Sequence, residues 1–284
     1  MNKKRDVEIL VLSDIHLGTY GCNAKQLLRY LKSVNPKTVI LNGDIIDMWQ
    51  FSKRYWPASH MKIIKHLMHL IEKKVTIYYV TGNHDEMLRK FSGFRMGSLQ
   101  IVDKVVLPLD NNEKAWFFHG DVFDVTMQHS KWLAKLGAVG YDSLIQINRF
   151  ANFISEYFFN KGKLSFSKRI KNSVKGAVKF INSFDTTAAN IGIENQYDYV
   201  VCGHIHQPEM RKIVNANGSI MYLNSGDWIE NLTALEYNNS KWTLYKYDEA
   251  QMETEADEYP DEVILCNNEL FENMVANFNL MSVR

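Results

Sequence analysis

The sequence predicts an α/β fold in which helices cover a β-sheet, with a second sheet later in the chain and a helical segment inserted before it. Three observations predict this fold. Over the first 120 residues, short β-rich apolar runs alternate with amphipathic helical patterns. Several strand-like runs follow residue 197, whereas residues 122–196 show mainly helical spacing. We therefore expect an α/β core that is interrupted by a helical cap.

The individual elements follow from these patterns in chain order. Strands are predicted at residues 8–13, 38–42, 75–81 and 115–118, with helices at 24–33 and 61–73 between the first three. A fifth apolar run at 197–202 precedes strand-like segments at 219–224, 232–237 and 241–247. Asn238, Asn239 and Ser240 join the last two segments, which predicts a hairpin. Consecutive strands of this kind indicate a second, largely antiparallel sheet.

The predicted domain division has three parts. The core comprises residues 1–121 and 197–247, and the cap comprises residues 122–196. Residues 248–284 are predicted to form an acidic linker and a C-terminal amphipathic helix, the latter at 263–281.

The net charge hides two regions of opposite sign. The 284 residues include 33 Lys or Arg and 32 Asp or Glu, a formal charge of +1, and 46% of them are hydrophobic. This composition excludes intrinsic disorder and a broad basic surface for nucleic acid. However, residues 127–180 contain ten Lys or Arg and two Asp or Glu, whereas residues 248–272 contain ten Asp or Glu and no Lys or Arg. An anionic ligand is therefore compatible with a cleft beside the cap.

The cysteines and apolar runs bear on the location of the protein. The three cysteines are far apart and form no metal-binding pair, which is typical of a reducing compartment. The apolar run at residues 9–12 is too short for a signal peptide, and no run reaches the roughly 18 apolar residues of a membrane span. We expect a cytoplasmic protein without a transmembrane segment, and attachment to the inner membrane surface stays open.

Polar side chains follow five of the predicted strands, at the end where open α/β sheets place their ligand sites. These residues are Asp14 and His16, Asp44 and Asp47, Asn83 to Asp85, His119 and Asp121, and His204 and His206. The glycines before Asp44, Asn83 and His204 allow the tight turns that bring these side chains inward. A single segment of this kind is also typical of an ordinary turn. The five together predict one shared site.

The ligand types predict a site for two divalent metal ions. Imidazole combined with oxygen ligands favours Mn, Fe, Zn or Co over Mg or Ca. A two-metal site needs an oxygen ligand that bridges the ions, and Asp44 is the best candidate. Such ions would lower the pKa of a bridging water and would hold the oxygens of a phosphoryl group under attack. We expect Mn as the first choice, with Fe, Zn or Co as alternatives.

The order D-x-H, G-D-x-x-D, G-N-H-D, H and G-H-x-H, which spans residues 7–208, resembles the calcineurin-like metallophosphoesterases. The resemblance implies that family's α/β/β/α sandwich of two sheets. It also implies a first metal bound by Asp14, His16 and His206, a second bound by Asn83, His119 and His204, and Asp44 as the bridge. In this family pattern His84 would protonate the leaving oxygen, and Asp85 would orient the His84 ring.

A cap between the HGD and GHxH motifs, together with Trp49, is similar to one branch of that superfamily, the UDP-2,3-diacylglucosamine hydrolases of lipid A synthesis. Those enzymes cleave a nucleotide-lipid pyrophosphate to UMP and an acylated sugar phosphate at the inner membrane surface. The resemblance implies an anionic nucleotide-lipid substrate here. The candidate substrate-binding residues are Trp49, Lys168, Arg169, Lys171 and Lys175. One position departs from the branch, since many of its members carry Arg where this chain has His84.

Alternatives remain for both the function and the cap. Besides the pyrophosphatase, the motifs fit a phosphodiesterase or phosphomonoesterase acting on a soluble nucleotide or phosphoprotein, and a non-catalytic metal-dependent scaffold. Intact His84 argues against the scaffold. The aromatic residues at 150–159 would either line an acyl-chain pocket or pack between cap helices, and the cap lysines would face a pyrophosphate, solvent or anionic lipid.

Overall fold

The computed structural model describes residues 4–49, 55–123 and 184–251. The chain divides into two compact units, residues 1–247 and 248–284, and the described start of the second unit is a short 3-10 helix at Glu249–Gln251. Lys168, Arg169, Lys171, Lys175 and the helix predicted at 263–281 lie outside the described residues. Within the described ranges, none of the helices has the length and apolar character that a bilayer span requires.

The described elements alternate as the sequence predicts. The strands are β1 (Arg5–Leu12), β2 (Val34–Asn42), β3 (Thr76–Val80), β4 (Arg95–Met96), β5 (Leu99–Val102), β6 (Lys104–Pro108), β7 (Lys114–Phe118), β8 (Tyr199–Cys202), β9 (Glu209–Asn215), β10 (Gly218–Asn224), β11 (Thr233–Asn238) and β12 (Lys241–Lys246). The helices are α1 (Ala24–Ser33), α2 (Ala58–Glu72) and α3 (residues 184–194).

The strands form two mixed sheets. The seven-stranded sheet has the order β12-β11-β1-β2-β3-β5-β4, and the five-stranded sheet has the order β6-β7-β8-β10-β9. The central strands β1, β2, β3 and β5 run parallel, as do β7, β8 and β10. This arrangement confirms the predicted two-sheet α/β fold.

The hairpin near residue 240 is confirmed, but its predicted sheet is wrong. Asn239 and Ser240 both have positive φ, as a two-residue type I′ turn requires, and Asn238 pairs with Lys241. The hairpin does not build the second sheet, because β11 pairs antiparallel with β1 in the seven-stranded sheet. Conversely β7, expected in the first sheet, pairs with β8 in the second.

The apolar core lies in two layers around the five-stranded sheet. One cluster fills the space between the sheets and includes Val11 and Ile40 from one sheet and Phe117 and Leu223 from the other. A second cluster packs the outer face of the five-stranded sheet against α3. Residues 184–194 were predicted to belong to the cap, and their burial in this cluster places them in the core instead. On the opposite side, α1 and α2 contact each other and contribute buried Leu and Ile side chains.

Candidate metal centre

The five polar segments meet where strands of both sheets end. Segments after β1, β2 and β3 come from the seven-stranded sheet, and those after β7 and β8 come from the five-stranded sheet. Five of the predicted ligands have positive φ angles between 50° and 70°: Asp14, His16, Asp44, His204 and His206. A left-handed backbone at a non-glycine residue costs about 1–3 kcal/mol, and such residues cluster at functional sites. The fold therefore holds these side chains in place against local strain.

Backbone hydrogen bonds tie the first two segments together. The Asp14 N–H donates to the Gly43 carbonyl at 3.1 Å, and the His16 N–H donates to the Asp44 carbonyl at 2.9 Å. The His204 N–H donates to the Asp14 Oδ2 at 3.0 Å, and the His84 N–H donates to the Asp44 Oδ1 at 2.8 Å. Each carboxylate is thus fixed by a neighbouring segment as well as by its own backbone.

The glycines of the motifs act in two different ways. Gly43 has a φ of +85° and makes the predicted tight turn. Gly203 instead permits close approach, since a Cβ there would lie 2.6 Å from both the Asp14 Oδ2 and the Ser13 Oγ. At Gly82 the same addition would lie 2.6 Å from the Asp44 backbone nitrogen. Turn formation was predicted for all three positions, and close approach is the reason at Gly82 and Gly203.

Two clusters of potential ligands lie side by side in the site, linked by a third group that takes one residue from each. In the first cluster, ligand atoms of Asp14, His16 and His206 all lie within 4.8 Å of one another, and in the second the same holds for Asp44, His119 and His204. Asp44 is also grouped with His16 and His84, so its carboxylate lies between the two clusters. The structure thus brings together the residues predicted for each metal, and the buried Asn83 Oδ1 belongs to the segment beside them.

Several buried polar atoms of the site have no hydrogen-bond partner among the described residues: Asp14 Oδ1, His16 Nε2, Asn83 Oδ1 and His119 Nε2. His206 Nε2 lies 3.1 Å from Asp14 Oδ1, and His119 Nε2 lies 3.2 Å from Asp44 Oδ2, without the alignment of a hydrogen bond. Two ligands at about 2.1 Å from a shared cation lie about 3 Å apart when their bonds meet at a right angle. The donor set and its spacing therefore fit divalent metal ions.

His119 has the ring orientation that metal binding requires. Its Nδ1 lies 2.9 Å from the Asn42 carbonyl oxygen, which accepts the Nδ1 proton and leaves the Nε2 lone pair directed at Asp44. The side chain is also fully buried, so that water cannot compete for this nitrogen. A hydrogen bond of this kind fixes the tautomer of a histidine ligand.

The pKa values of the cluster show how strongly its charges interact. Burial alone would raise the pKa of Asp14, but nearby His206 outweighs it and lowers the pKa to about 2. Burial would likewise lower the pKa of His206, and Asp14 and Asp227 raise it to about 9. The same opposition raises the pKa of His119 well above its ordinary value, chiefly through Asp44. In the metal-free site, protonated histidines supply the positive charge that bound cations would supply.

The prediction for the partner of His84 is wrong. The Asp85 carboxylate accepts hydrogen bonds from the Gly82 N–H at 2.6 Å, the Ile45 N–H at 3.0 Å and the Tyr79 hydroxyl at 2.6 Å. The residue against the His84 ring is Asp47, whose Oδ2 lies 2.9 Å from Nδ1. Asp85 therefore fixes the loop that carries His84, and Asp47 orients the ring.

The pKa of His84 reflects this contact. Burial acts to lower it, but the hydrogen bond with Asp47 and the charge of Asp44 raise it above the ordinary value. Trp49 covers the other side of the ring, with a centroid distance of 4.5 Å and a tilt of 34°. Trp49 is about half exposed, so it lies between the ring of His84 and solvent.

Sequence reasoning missed Asp227, which is completely buried beside the first cluster. Its Oδ2 lies 3.8 Å from His206 Nδ1, and its Oδ1 accepts the backbone N–H groups of Ile229 and Glu230 at 2.8 and 2.6 Å. A carboxylate that contacts the remote nitrogen of a ligand histidine is a common support of metal sites. The available signal was the same as elsewhere, because Asp227 follows the end of the predicted strand at 219–224.

The fold and the site define a metal-dependent phosphoesterase. The chain belongs to the calcineurin-like phosphoesterase family, whose model matches residues 7–208. It is 25% identical over 228 residues to the UDP-2,3-diacylglucosamine hydrolase of Blochmanniella pennsylvanica, covering 75% of this chain and 85% of that protein.

The chain is also similar to a DNA repair protein and to a solved structure. The DNA double-strand break repair protein Mre11 of Methanococcus maripaludis is 24% identical over 218 residues, which cover 76% of this chain and 53% of that protein. The structure of a predicted phosphoesterase from Streptococcus pneumoniae covers 84% of this chain and 88% of its own, with 17% identity and a TM-score of 0.34.

Proposed function

We propose that the chain hydrolyses the pyrophosphate of UDP-2,3-diacylglucosamine or a similar nucleotide-lipid, giving UMP and an acylated sugar 1-phosphate. The observation that carries the chemistry is the pair of His/Asp clusters on either side of Asp44, with the His84–Asp47 pair beside them. The substrate class is supported by the relative named UDP-2,3-diacylglucosamine hydrolase, which aligns over most of both chains.

The proposed ligands of the first ion are Asp14, His16 and His206, those of the second are Asn83, His119 and His204, and Asp44 bridges the two ions. Mn is the first choice, because the set mixes imidazole with oxygen donors, and Fe, Zn or Co would also fit it. Bound cations of this kind supply Lewis acidity, which lowers the pKa of water and offsets the charge of a phosphoryl group.

His84 is the proposed acid. Its Nδ1 faces Asp47, so the proton available to a leaving oxygen is the one on Nε2. Water adds to one phosphorus of the pyrophosphate while the bond from that phosphorus to the bridging oxygen breaks. The Nε2 proton goes to the departing oxygen, one proton of the water is released to solvent, and Nε2 is reprotonated from solvent. The hydrogen bond with Asp47 and the charge of Asp44 raise the pKa of His84, which favours the protonated ring that this step requires.

The substrate-binding part of the proposal extends beyond the described residues. Trp49 beside His84 would contact the substrate, and Lys168, Arg169, Lys171 and Lys175 in the cap would bind its pyrophosphate. A cytoplasmic location at the inner membrane surface would give the enzyme access to such a lipid.

The decisive experiment is a substrate comparison with the full chain loaded with Mn²⁺. We expect release of UMP from UDP-2,3-diacylglucosamine in detergent micelles, with a kcat/KM above that for p-nitrophenyl phosphate and bis-p-nitrophenyl phosphate. If the small esters are the better substrates, the nucleotide-lipid assignment is wrong and a general phosphomonoesterase or phosphodiesterase remains. Absence of turnover on all three, with metal bound, would identify a scaffold.

A further inference from the structure

The segment that follows the candidate acid exposes a group of large apolar side chains. Residues 86–97 form a short 3-10 helix and then β4, the edge strand of the seven-stranded sheet. Met87, Phe91, Phe94 and Met96 are 60%, 55%, 53% and 42% exposed, respectively. Isolated exposed apolar residues are normal, but four within ten positions mark an interaction site. We call these four residues, together with Lys90 and Arg95, the β4 surface.

The backbone of the β4 surface is anchored to the sheet. The Gly93 N–H donates to the Ile101 carbonyl at 2.8 Å, and the Ile101 N–H donates to the Phe94 carbonyl at 3.0 Å. The Phe94 N–H in turn donates to the Phe91 carbonyl at 2.9 Å. The two phenylalanines are therefore presented by hydrogen-bonded backbone beside β5, and their exposure is a property of the folded core.

The charged residues of this surface are basic. Lys90 and Arg95 are exposed, and neither forms an ion pair with another residue in the described ranges. The neighbouring Arg89 is already paired with Asp121. Glu86 is the only acidic residue among residues 86–97. Aromatic side chains flanked by cations are typical of protein segments that bind at the interface of an anionic bilayer.

We propose that the β4 surface docks the chain onto an anionic lipid bilayer. Arg89, in the 3-10 helix of this segment, pairs with Asp121, which follows His119, so docking there would bring the site toward an acylated substrate in the membrane. The advantage of placing the site near a membrane substrate rests on the proposed function, whereas the proposed lipid binding does not. A second copy of the chain fits less well, because a symmetric contact would set the same two cations against their own copies.

The test measures partition of the full, metal-loaded chain onto vesicles of phosphatidylcholine with one quarter phosphatidylglycerol, and onto phosphatidylcholine alone. Each cation near the surface contributes about fivefold, so Lys90→Gln with Arg95→Gln should lower partition onto the anionic vesicles roughly 30-fold. Phe91→Ser with Phe94→Ser should lower it about tenfold or more on both vesicles. The matched control is Lys212→Gln with Val214→Ser on β9, the exposed edge strand of the other sheet, and it should change nothing.

The two proposals fail in different ways. Equal partition of the wild type and both β4 surface variants would overturn the docking proposal, whatever the turnover. A dimer that forms without lipid and is lost in the Phe91→Ser, Phe94→Ser variant would assign the surface to a second copy of the chain. Turnover is measured separately in detergent micelles, where the surface variants should match the wild type. If the wild type is inactive there yet binds anionic vesicles, the substrate proposal fails and the docking proposal stands.

Discussion

Two buried carboxylates of the described residues, Glu236 on the seven-stranded sheet and Asp14 at the metal centre, differ in whether both of their oxygens accept hydrogen bonds. On the seven-stranded sheet, Glu236 accepts both terminal N–H groups of Arg5 at 2.8 Å and the Tyr30 hydroxyl at 2.8 Å. At the metal centre, Asp14 Oδ1 and His119 Nε2 are buried without hydrogen bonds. The carboxylate of the Glu236 cluster is satisfied within the chain, whereas the atoms of Asp14 and His119 without hydrogen bonds are of the types that bind cations.

The difference also shows in how each cluster is closed. Tyr30 stacks on Trp228 and Tyr245, which shield its hydrogen bond to Glu236. Burial and the charge of Glu236 raise the pKa of Tyr30 well above its ordinary value, so the hydroxyl remains a donor. Buried polar groups stabilise a fold when they are all satisfied and cost free energy when they are not. The unsatisfied carboxylate and imidazole atoms of the metal centre are ligand types that bind divalent cations, which would offset this cost.

The strongest way to test this contrast is to remove one carboxylate from each cluster. Asp44→Ala takes away the proposed bridging ligand, which belongs to the second group of ligands and lies 3.9 Å from His16 of the first, so we expect loss of bound metal and a fall in kcat/KM of about 10³-fold or more. Metal content measured by plasma emission spectroscopy checks the cause. An Asp44→Ala protein that keeps its full metal content would contradict the bridging assignment.

Glu236→Gln is the matched control for that experiment. It should lower the free energy of unfolding by about 1–2 kcal/mol, a reduced value because Arg5 is half exposed. Metal content and turnover should stay within about twofold of the wild type. Loss of metal in this variant would mean that the two clusters are not independent.

His84→Ala separates proton donation from metal binding. We expect a loss of kcat of roughly 10²–10⁴-fold with metal content unchanged, because a general acid contributes about this much. Asp47→Asn should reproduce part of the loss, since Asp47 orients the ring. Near-normal turnover of His84→Ala would remove this residue from the mechanism.

Asp227→Asn should act on metal affinity more than on the fold. The amide oxygen can still accept the N–H groups of Ile229 and Glu230, but the hydrogen bond that Oδ2 accepts from the Asn231 side chain and the negative charge beside His206 are lost. Removing such a partner typically weakens metal binding by about 10–100-fold. Titration with Mn²⁺ measures the affinity, and thermal unfolding of the metal-free protein measures the fold. Unchanged affinity would show that Asp227 serves only its local turn.

The smallest predicted effect is a pH dependence of metal binding. With its pKa at about 9, the His206 ring carries a proton at pH 7.5 in the metal-free protein, and a bound cation must displace that proton. The pKa of His119 is also raised, which acts in the same direction. Calorimetry in buffers of different ionisation enthalpy counts the protons released. Binding without proton release would contradict the charge state assigned to His206.

The same shift predicts how the metal-free fold depends on pH. A histidine whose pKa is raised above the unfolded value of about 6.5 stabilises the fold below that pH. The contribution of His206 is lost as the pH rises through about 9. Chelated protein should therefore lose thermal stability between pH 6.5 and 9. A melting temperature of the chelated protein that stays constant or rises over this interval would contradict the raised pKa.

The sequence identifies the strands of the site better than it identifies the sheets. The runs before Asp14, Asp44 and His204 are apolar and buried, and their periodicity is clear. β4, β5, β6 and β9 were not predicted. β4 and β5 have only two and four residues, and β6 and β9 are edge strands in which several residues are exposed. Sheet membership depends on pairing between distant segments, such as Val11 with Leu235, which no local pattern encodes.

Asp47, rather than the predicted Asp85, contacts the His84 ring for a similar reason. Asp85 is adjacent to His84 in the chain, but the loop turns so that its carboxylate faces the Gly82 N–H and the Tyr79 hydroxyl. Asp47 reaches the ring from the loop after another strand. Adjacency in the sequence therefore places Asp85 in the loop of His84 but does not identify which carboxylate contacts the His84 ring.

The metal centre lies where the two sheets meet, so metal binding would also affect the stability of the fold. Asp14, His16 and Asp44 follow strands of one sheet, whereas His119 and His204 follow strands of the other. A cation held by both sets links the sheets directly and favours the folded chain by mass action, to an extent that grows with free metal concentration. Metal supply would then regulate how long the protein survives in the cell as well as how fast it works.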